Sequence, residues 1–317
     1  MGFLTPNIIE TAVNNGLIYG CVALSLFISF TILNICDLST DGCYILGAAV
    51  GVSVTIAGHP ILAIFAGMAA GVCSGFVTAF LQTRLRVPDI LAGIVVNTGL
   101  YTINLMVMGL RTNLNIVGTD TVFSMFESLN DSAFWQGWSD TILLLMIVAA
   151  LCLFIYWFLT TRLGLSIRAT GDSAPMVRAS SINPAFTITV GLCLSNSFTG
   201  LAGCLIGQYT KTAEINQGTG MVTIALASLI IGQMIFGRGP MMVRIIGTVV
   251  GSVLYRFIIA IALRLNVPTQ AFRLVSAVIV AIAIAAPAIR DFVRFSIRKR
   301  SVMCAHRAER KGGETHA

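Results

Sequence analysis

Long apolar runs constrain this chain more than any other feature of its sequence. Most of them extend over roughly 18–25 residues, the length at which one helix crosses a hydrocarbon core about 30 Å thick. Charged residues make up only 10% of the 317 residues, and the mean hydropathy is +0.88. A soluble domain carries about a quarter charged residues. The sequence therefore predicts an all-α, polytopic membrane protein.

Polar breaks divide the apolar sequence into about nine predicted membrane spans. The spans cover residues 8–33, 40–57, 60–83, 88–109, 140–160, 184–208, 220–236, 242–264 and 271–289. Residues 1–289 are thus expected to form one transmembrane domain, with 111–140 as its longest external loop. Residues 290–317 form a basic tail that we expect to be disordered.

Glycines recur at four-residue spacing inside two predicted spans. Gly67, Gly71 and Gly75 follow this spacing in the third span, and Gly247 and Gly251 follow it in the eighth. Small residues at this spacing let helix backbones approach closely within a bilayer. We interpret these glycines as packing residues without a specific functional role.

The distribution of basic residues predicts the orientation, because Lys and Arg accumulate in short cytoplasmic loops. Of the 20 Lys and Arg, fifteen fall on the side that holds residues 161–183 and the C-terminal tail, and four fall on the other side. The C-terminus is therefore predicted in the cytoplasm and, with nine spans, the N-terminus outside. The net charge of +7 then reflects topology and contact with anionic lipid, and predicts no nucleic-acid partner.

The motifs that would indicate catalysis are absent from the sequence. No lysine is preceded by glycine and followed by Ser or Thr, so the chain has no P-loop for ATP hydrolysis. The three histidines are isolated, and the eight cysteines show no metal-ligand spacing. The sequence predicts no catalytic residue, no metal site and no cofactor bound by this chain.

Neutral polar residues at membrane depth are the candidates for a translocation pathway. Asn97, Tyr101 and Asn104 are spaced i, i+4, i+7 and share one helix face. Asn196 and Gln208 lie in the sixth predicted span. An uncharged polar lining suits a passage that lets a solute through without holding it tightly. The alternative is that each residue makes a hydrogen bond between helices.

Ionisable residues in the spans are few. Asp37 and Asp41 flank the second span and Asp89 begins the fourth, whereas ion-coupled carriers commonly have buried acids. Arg256 is the one basic residue inside a span. It is either a functional intramembrane charge or a side chain that extends along its helix towards the interface near Arg264.

Residues 161–183, "TRLGLSIRATGDSAPMVRASSIN", form a polar island between two long apolar runs. Asp172 or Ser173 is predicted to cap a short helix that has Pro175 in its first turn and continues to about Ser180. So short a helix needs something to pack against. It either lies on lipid headgroups or docks a cytoplasmic partner.

The island resembles the cytoplasmic coupling loop of ABC importer permeases in the branched-chain amino acid and simple sugar permease superfamily. The matching residues are Gly164, Arg168, Ala169, Gly171, Asp172, Met176, Ala179, Ile182 and Asn183. Those permeases usually have glycine at the position of Ser181. Residues 34–50, 91–113 and 227–252 are also similar to the superfamily. The first two resemble the subgroup associated with tryptophan and tyrosine binding proteins.

The resemblance covers about residues 8–289 and implies a non-catalytic transport subunit of a bacterial inner membrane. It implies a homodimeric channel, an extracytoplasmic binding protein that delivers the solute, and a cytoplasmic ATPase dimer that binds ATP and Mg²⁺. It also implies that Asp172–Ser181 form the coupling helix seated on the ATPase. The coupling residues would be Arg168, Ala169, Gly171, Asp172, Met176, Ala179 and Ile182. The alternative function is an ion-coupled secondary transporter of a small polar solute.

Replacing a residue of the predicted pathway is expected to alter transport more than assembly. Asn97→Leu or Tyr101→Ala removes a polar or aromatic group from the shared helix face, so the rate of uptake per dimer should change while the dimer forms normally. Uptake by reconstituted dimers measures this. An altered dimer with normal uptake per dimer would contradict the pathway assignment.

Overall fold

The computed structural model describes residues 6–128, 133–237 and 239–264, with three further helical positions at 278, 281 and 285. Within these residues the fold is a bundle of helices. The helices are α1 Pro6–Leu26 with its π-helical continuation Phe27–Ile32, α2 Thr40–Ile56, α3 Pro60–Thr83, α4 Asp89–Val107, α5 Val122–Glu127, α6 Ala133–Thr160, α7 Arg162–Asp172, α8 Ala174–Ala179, α9 Pro184–Thr210, α10 Met221–Phe236 and α11 Met241–Arg264.

Six of these helices are long and apolar enough to cross a membrane. They contain residues Ile9–Ile32, Pro60–Thr83, Asp89–Val107, Trp138–Thr160, Pro184–Thr210 and Met241–Ile261. Helices α2 and α10 are apolar but shorter. The predicted span 271–289 lies outside the described residues except at three positions, and the tail 290–317 lies wholly outside them. The count of nine spans and the orientation therefore stay predictions.

The described fold is mostly helical, as predicted, and in addition a short two-stranded sheet joins two loops. Strands β1 Asn113–Asn115 and β2 Thr212–Glu214 pair antiparallel. The predicted external loop 111–140 also contains α5, which begins with a capping box between Thr121 and Ser124. Helix α6 begins earlier than predicted, since the polar residues at its start gave no apolar signal.

Helix α9 lies between α2 and α3 at backbone-contact distance. A side chain at Gly200 would collide with the carbonyl oxygen of Gly67, and one at Gly71 would collide with that of Asn196. Three residues further along the same face of α9, Gly203 lies against the carbonyl oxygen of Tyr44 of α2. Close approach of this kind replaces the hydrophobic effect as the packing force between helices in lipid. The packing interpretation of the glycine repeat is therefore confirmed for these positions.

A second group of close contacts joins α1, α10 and α11. Gly232 of α10 lies against the carbonyl oxygen of Gly247 of α11, and Gly251 lies against that of Ser228. The two helix groups meet where α1 packs on α9. There the Ser25 hydroxyl is 2.9 Å from the Ser195 hydroxyl and 2.7 Å from that of Thr199. Glycine-mediated contact thus holds each group together, and hydroxyl hydrogen bonds join them.

Adding one methyl group at Gly200 should disrupt the α3–α9 contact. In Gly200→Ala the new Cβ meets backbone atoms of α3, so the helices must separate, and overpacking of this kind costs about 1–3 kcal/mol. We expect a lower thermal unfolding temperature in detergent. The matched control is Gly99→Ala in α4, where no atom lies within 4 Å of the added Cβ. An equal effect of both variants would contradict the packing argument.

Candidate functional site: the α7–α8 helix pair and the buried polar residues

The predicted polar island consists of two helices rather than one. Helix α7 begins after Thr161, whose hydroxyl accepts a hydrogen bond from the Gly164 amide at 3.2 Å. It ends at Asp172, and α8 follows after the extended residue Ser173. Of the two predicted capping residues, Asp172 is the last residue of α7, whereas Ser173 occupies the N-cap position of α8 without a side-chain hydrogen bond. Pro175 does lie in the first turn of α8, as predicted.

One face of the helix pair is fixed to the membrane helices. Gly171 lies against the carbonyl oxygen of Ile32, at the end of the π-helical segment. The Thr170 hydroxyl is 2.8 Å from the Thr187 hydroxyl of α9, and Ile167 is buried. These contacts follow the spacing of one helix face. The pair is therefore attached both to the end of the first membrane helix and to the start of α9.

The other face of the helix pair is exposed. Met176 is 71% exposed although it is a large apolar side chain, whereas its neighbour Val177 is only 3% exposed. Most of the residues expected to couple the chain to an ATPase are on this face. Arg168, Ala169, Asp172, Met176 and Ala179 are exposed, and Gly171 and Ile182 are half-buried. These seven residues are thus distributed over α7, α8 and the turn that follows α8.

The turn after α8 requires a left-handed residue. Ser181 has φ +61°, and the Ile182 amide donates to the carbonyl oxygen of Val177 at 3.2 Å. Asn183 then caps α9, because its side-chain oxygen accepts a hydrogen bond from the Ala185 amide. The left-handed region is unfavourable for residues other than glycine. This explains physically why glycine suits the position that Ser181 occupies.

The predicted stripe on α4 packs against the start of α2. Asn104 is fully buried, and its amide donates to the carbonyl oxygen of Gly42 at 3.0 Å. The Asn97 side-chain oxygen lies beside the same glycine, 2.6 Å from where a Cβ would stand. Tyr101 is 50% exposed at the edge of this contact. The stripe therefore joins α4 to α2 through Asn104.

Asn196 contacts a buried carboxylate. Its side-chain amide donates to Asp37 at 2.8 Å, and the second oxygen of that carboxylate accepts the Ser39 amide at 2.8 Å. Asp37 is 1% exposed and Asn196 fully buried. The sequence placed Asp37 at the edge of a span and gave no sign of its burial. Its one local signal was the Asp-Leu-Ser order, which favours a turn closed by the Asp side chain.

A second aspartate in the same region, Asp41, caps the N-terminus of a helix that is distant in sequence. The carboxylate of Asp41, on α2, accepts hydrogen bonds from the Gly220 amide at 3.0 Å and from the Val222 amide at 2.8 Å. These amides belong to the first turn of α10, where backbone donors lack intrahelical partners. Sequence reasoning missed this role, because the two segments are far apart in the chain.

Gln208, near the C-terminal end of α9, makes hydrogen bonds to α5 and α3. Its side-chain oxygen accepts the Val122 amide at 3.0 Å, and its side-chain nitrogen donates to the carbonyl oxygen of Pro60 at 3.1 Å. Gln208 lies twelve residues after Asn196, so about 18 Å of helix separates them. The structure does not bring the five predicted pathway residues into one site, and their role in translocation stays a prediction.

Membrane-length helices, two of which contact the α7–α8 helix pair, define an integral membrane protein. The family model of the branched-chain amino acid transport system permease component matches residues 8–284. The chain belongs to this family of ABC importer permeases. It is accordingly a multi-pass protein of the bacterial inner membrane.

Curated relatives include permeases for different solutes. The chain is 30% identical over 273 residues to a tyrosine transport system permease protein of Clostridioides difficile (strain R20291), covering 86% of this chain and 88% of the relative. It is 24% identical over 223 residues to a galactofuranose transporter permease protein of Escherichia coli (strain K12), covering 68% and 61%. No solved structure gives a significant match to the chain.

Glycine at position 181 should stabilise the turn that follows α8. Glycine has no Cβ, so in Ser181→Gly the left-handed φ no longer causes a steric clash with the backbone. This stabilises the turn by about 1 kcal/mol. We expect slower hydrogen–deuterium exchange of the Ile182 amide. The matched control is Ser180→Gly, at a right-handed φ of −88°, which should speed this exchange. Faster exchange in Ser181→Gly would contradict the strain argument.

Proposed function

We propose that this chain is the permease subunit of a binding-protein-dependent ABC importer for an amino acid, and that this amino acid is aromatic. The observation that carries the proposal is the exposed face of α7–α8 on an otherwise lipid-compatible chain that belongs to the ABC importer permeases. The amino-acid assignment is supported by the similarity, over most of both chains, to a permease named for tyrosine transport.

In this proposal the exposed face of α7–α8 binds a cytoplasmic ATPase dimer. Met176 and Ala179 fit a groove of that partner, while Arg168 and Asp172 offer charged contacts at its edge. ATP and Mg²⁺ bind the ATPase, since the sequence of this chain contains no P-loop. Movement of the ATPase subunits then reaches the membrane helices through Gly171 and Thr170, which contact the end of the first membrane helix and the start of α9.

The other parts of the assembly follow the expectation from the family. A second copy of this chain completes the channel, and an extracytoplasmic binding protein delivers the solute to the outer end of the dimer. Asn97 and Tyr101 remain the best placed of the predicted pathway residues, because they are the two that are not fully buried. Asn104, Asn196 and Gln208 contribute by holding helices in register.

An ion-coupled secondary transporter is the second candidate function. The observation that favours it is the buried Asp37 carboxylate beside Asn196, since buried acids mark ion or proton pathways in carriers. Uptake into proteoliposomes separates the two functions. ATP-driven uptake that survives an ionophore supports the importer, whereas uptake without ATP that an ionophore abolishes supports the carrier.

A charge on the exposed face of α8 should uncouple transport from ATP hydrolysis. In Met176→Asp the exposed apolar side chain becomes a carboxylate, which is costly to bury in a partner's groove. We expect ATP-driven uptake to fall at least about tenfold with normal membrane insertion, measured with the reconstituted ATPase and binding protein.

The matched control for this variant is Met176→Leu, which keeps an apolar side chain of similar volume. It should retain most of the uptake. A thermal unfolding temperature equal to that of the wild type would show that Met176→Asp leaves the permease folded, as its exposure predicts. Unchanged ATP-driven uptake in Met176→Asp would refute the docking role of α8.

A further inference from the structure

Arg256 lies in the interior of a membrane-length helix and points across the bundle. It belongs to the candidate span Met241–Ile261, about 22 Å along the helix from its start. The guanidinium carbon is 3.4 Å from the centroid of the Tyr19 ring on α1. The side chain therefore does not extend towards the interface, which was one of the two alternatives left open by the sequence.

The charge of Arg256 has no carboxylate partner in the part of the chain that the structure describes. Its Nε is buried and has no hydrogen-bond partner among those residues. The sequence from 265 to 289 contains no Asp or Glu, so the remaining predicted span supplies no counter-ion either. A cation–π contact compensates only part of the desolvation of a guanidinium. An unpaired cation at this depth therefore indicates a functional group.

The surroundings of Arg256 form a partly open polar lane. Asn15 and Thr11 precede Tyr19 at i−4 and i−8, so the three share one face of α1. Thr11 is exposed and Asn15 and Tyr19 are half-buried, whereas Asn14 and Ile18 on adjacent faces are buried. A lane of accessible polar groups thus leads along α1 to the guanidinium.

The lane ends between the two glycine-packed helix groups. The Tyr19 ring stacks on that of Tyr44 of α2, with centroids 6.3 Å apart and an interplanar angle of 19°. The guanidinium of Arg256 of α11 lies over the same ring. Tyr19 therefore bridges the group that contains α2 and the group that contains α11. Solute sites in membrane transporters are built at boundaries of this kind between helix groups.

We propose that Arg256 binds the carboxylate of the transported amino acid within the membrane, at the end of the lane formed by Thr11, Asn15 and Tyr19. A planar guanidinium pairs with a carboxylate through two parallel hydrogen bonds. The Tyr19 ring supports its plane, and the stack on Tyr44 fixes that ring. The site selects solutes that carry a carboxylate. This inference rests on the proposed import of an amino acid.

Saturation-transfer NMR tests the site on the complete transporter, the permease with its ATPase subunits, in nanodiscs without ATP. The probes are L-tyrosine, L-tryptophan and L-leucine, each compared with the amine that lacks the carboxylate. We expect the wild type to bind at least one of the acids, and to bind it at least about tenfold more tightly than its amine. Failure to bind any of the acids, or equal binding of the amine, overturns the proposal.

Two variants connect this selectivity to the guanidinium. Arg256→Gln should weaken binding of the acid by about tenfold or more, to the level of the amine, and Arg256→Lys should restore part of it. The matched control is Arg244→Gln, which removes a second guanidinium of α11 that lies 5.7 Å from the Phe27 ring. It should leave binding unchanged. Wild-type binding in a folded Arg256→Gln, or equal losses in Arg256→Gln and Arg244→Gln, refutes the role.

Uptake by the same complex with its binding protein separates the two proposals. ATP-driven uptake together with binding that is independent of Arg256 overturns the carboxylate site alone. Binding that depends on Arg256 without ATP-driven uptake overturns the importer and leaves the site standing. If Arg256→Gln does not assemble, the comparison of acid with amine in the wild type and in Arg256→Lys decides.

Discussion

Backbone contact between helices is the interaction on which the rest of this structure depends. Lipid tails are as apolar as the helix surfaces, so the hydrophobic effect does not hold helices together within the bilayer. Their association depends instead on van der Waals contact between closely approaching backbones. Helix α9 provides it against two neighbouring helices, through Gly200 against α3 and Gly203 against α2. Helix α9 also contacts the helix pair near its start, through Thr187, and α3 and α5 near its end, through Gln208. Alanine at position 200 would disturb the contact between α9 and α3.

The anchored helix pair shows how a short exposed element can act on a membrane bundle. Helix α8 has only six residues and is marginal alone. It is held because α7 packs its inner face on the π-helical end of the first membrane helix and on α9. A force applied to the exposed Met176 side therefore reaches two membrane helices at once. The proposed coupling to a separate ATPase depends on this connection.

Some polar residues inside the bundle join helices, whereas Arg256 is a candidate for binding the solute. Asn104, Gln208 and Asp41 each satisfy backbone groups of another helix, which unpaired would be costly in an apolar interior. Arg256 differs, because its contact is an aromatic ring and its Nε lacks a partner among the described residues. The candidate solute site is thus marked by an intramembrane cation without a carboxylate partner among the described residues, whereas the other three residues join helices.

The sequence by itself determined the class of protein, most helix positions and the polar island, because apolar length and charge distribution are local properties. The resemblance of residues 161–183 also indicated the family, which the comparisons confirm. The tertiary structure decided what depends on distant segments. It showed Asp37 to be buried beside Asn196, joined β1 to β2, and split the island into α7 and α8. It also turned Arg256 towards Tyr19, since the direction of a side chain is set by its neighbours in space.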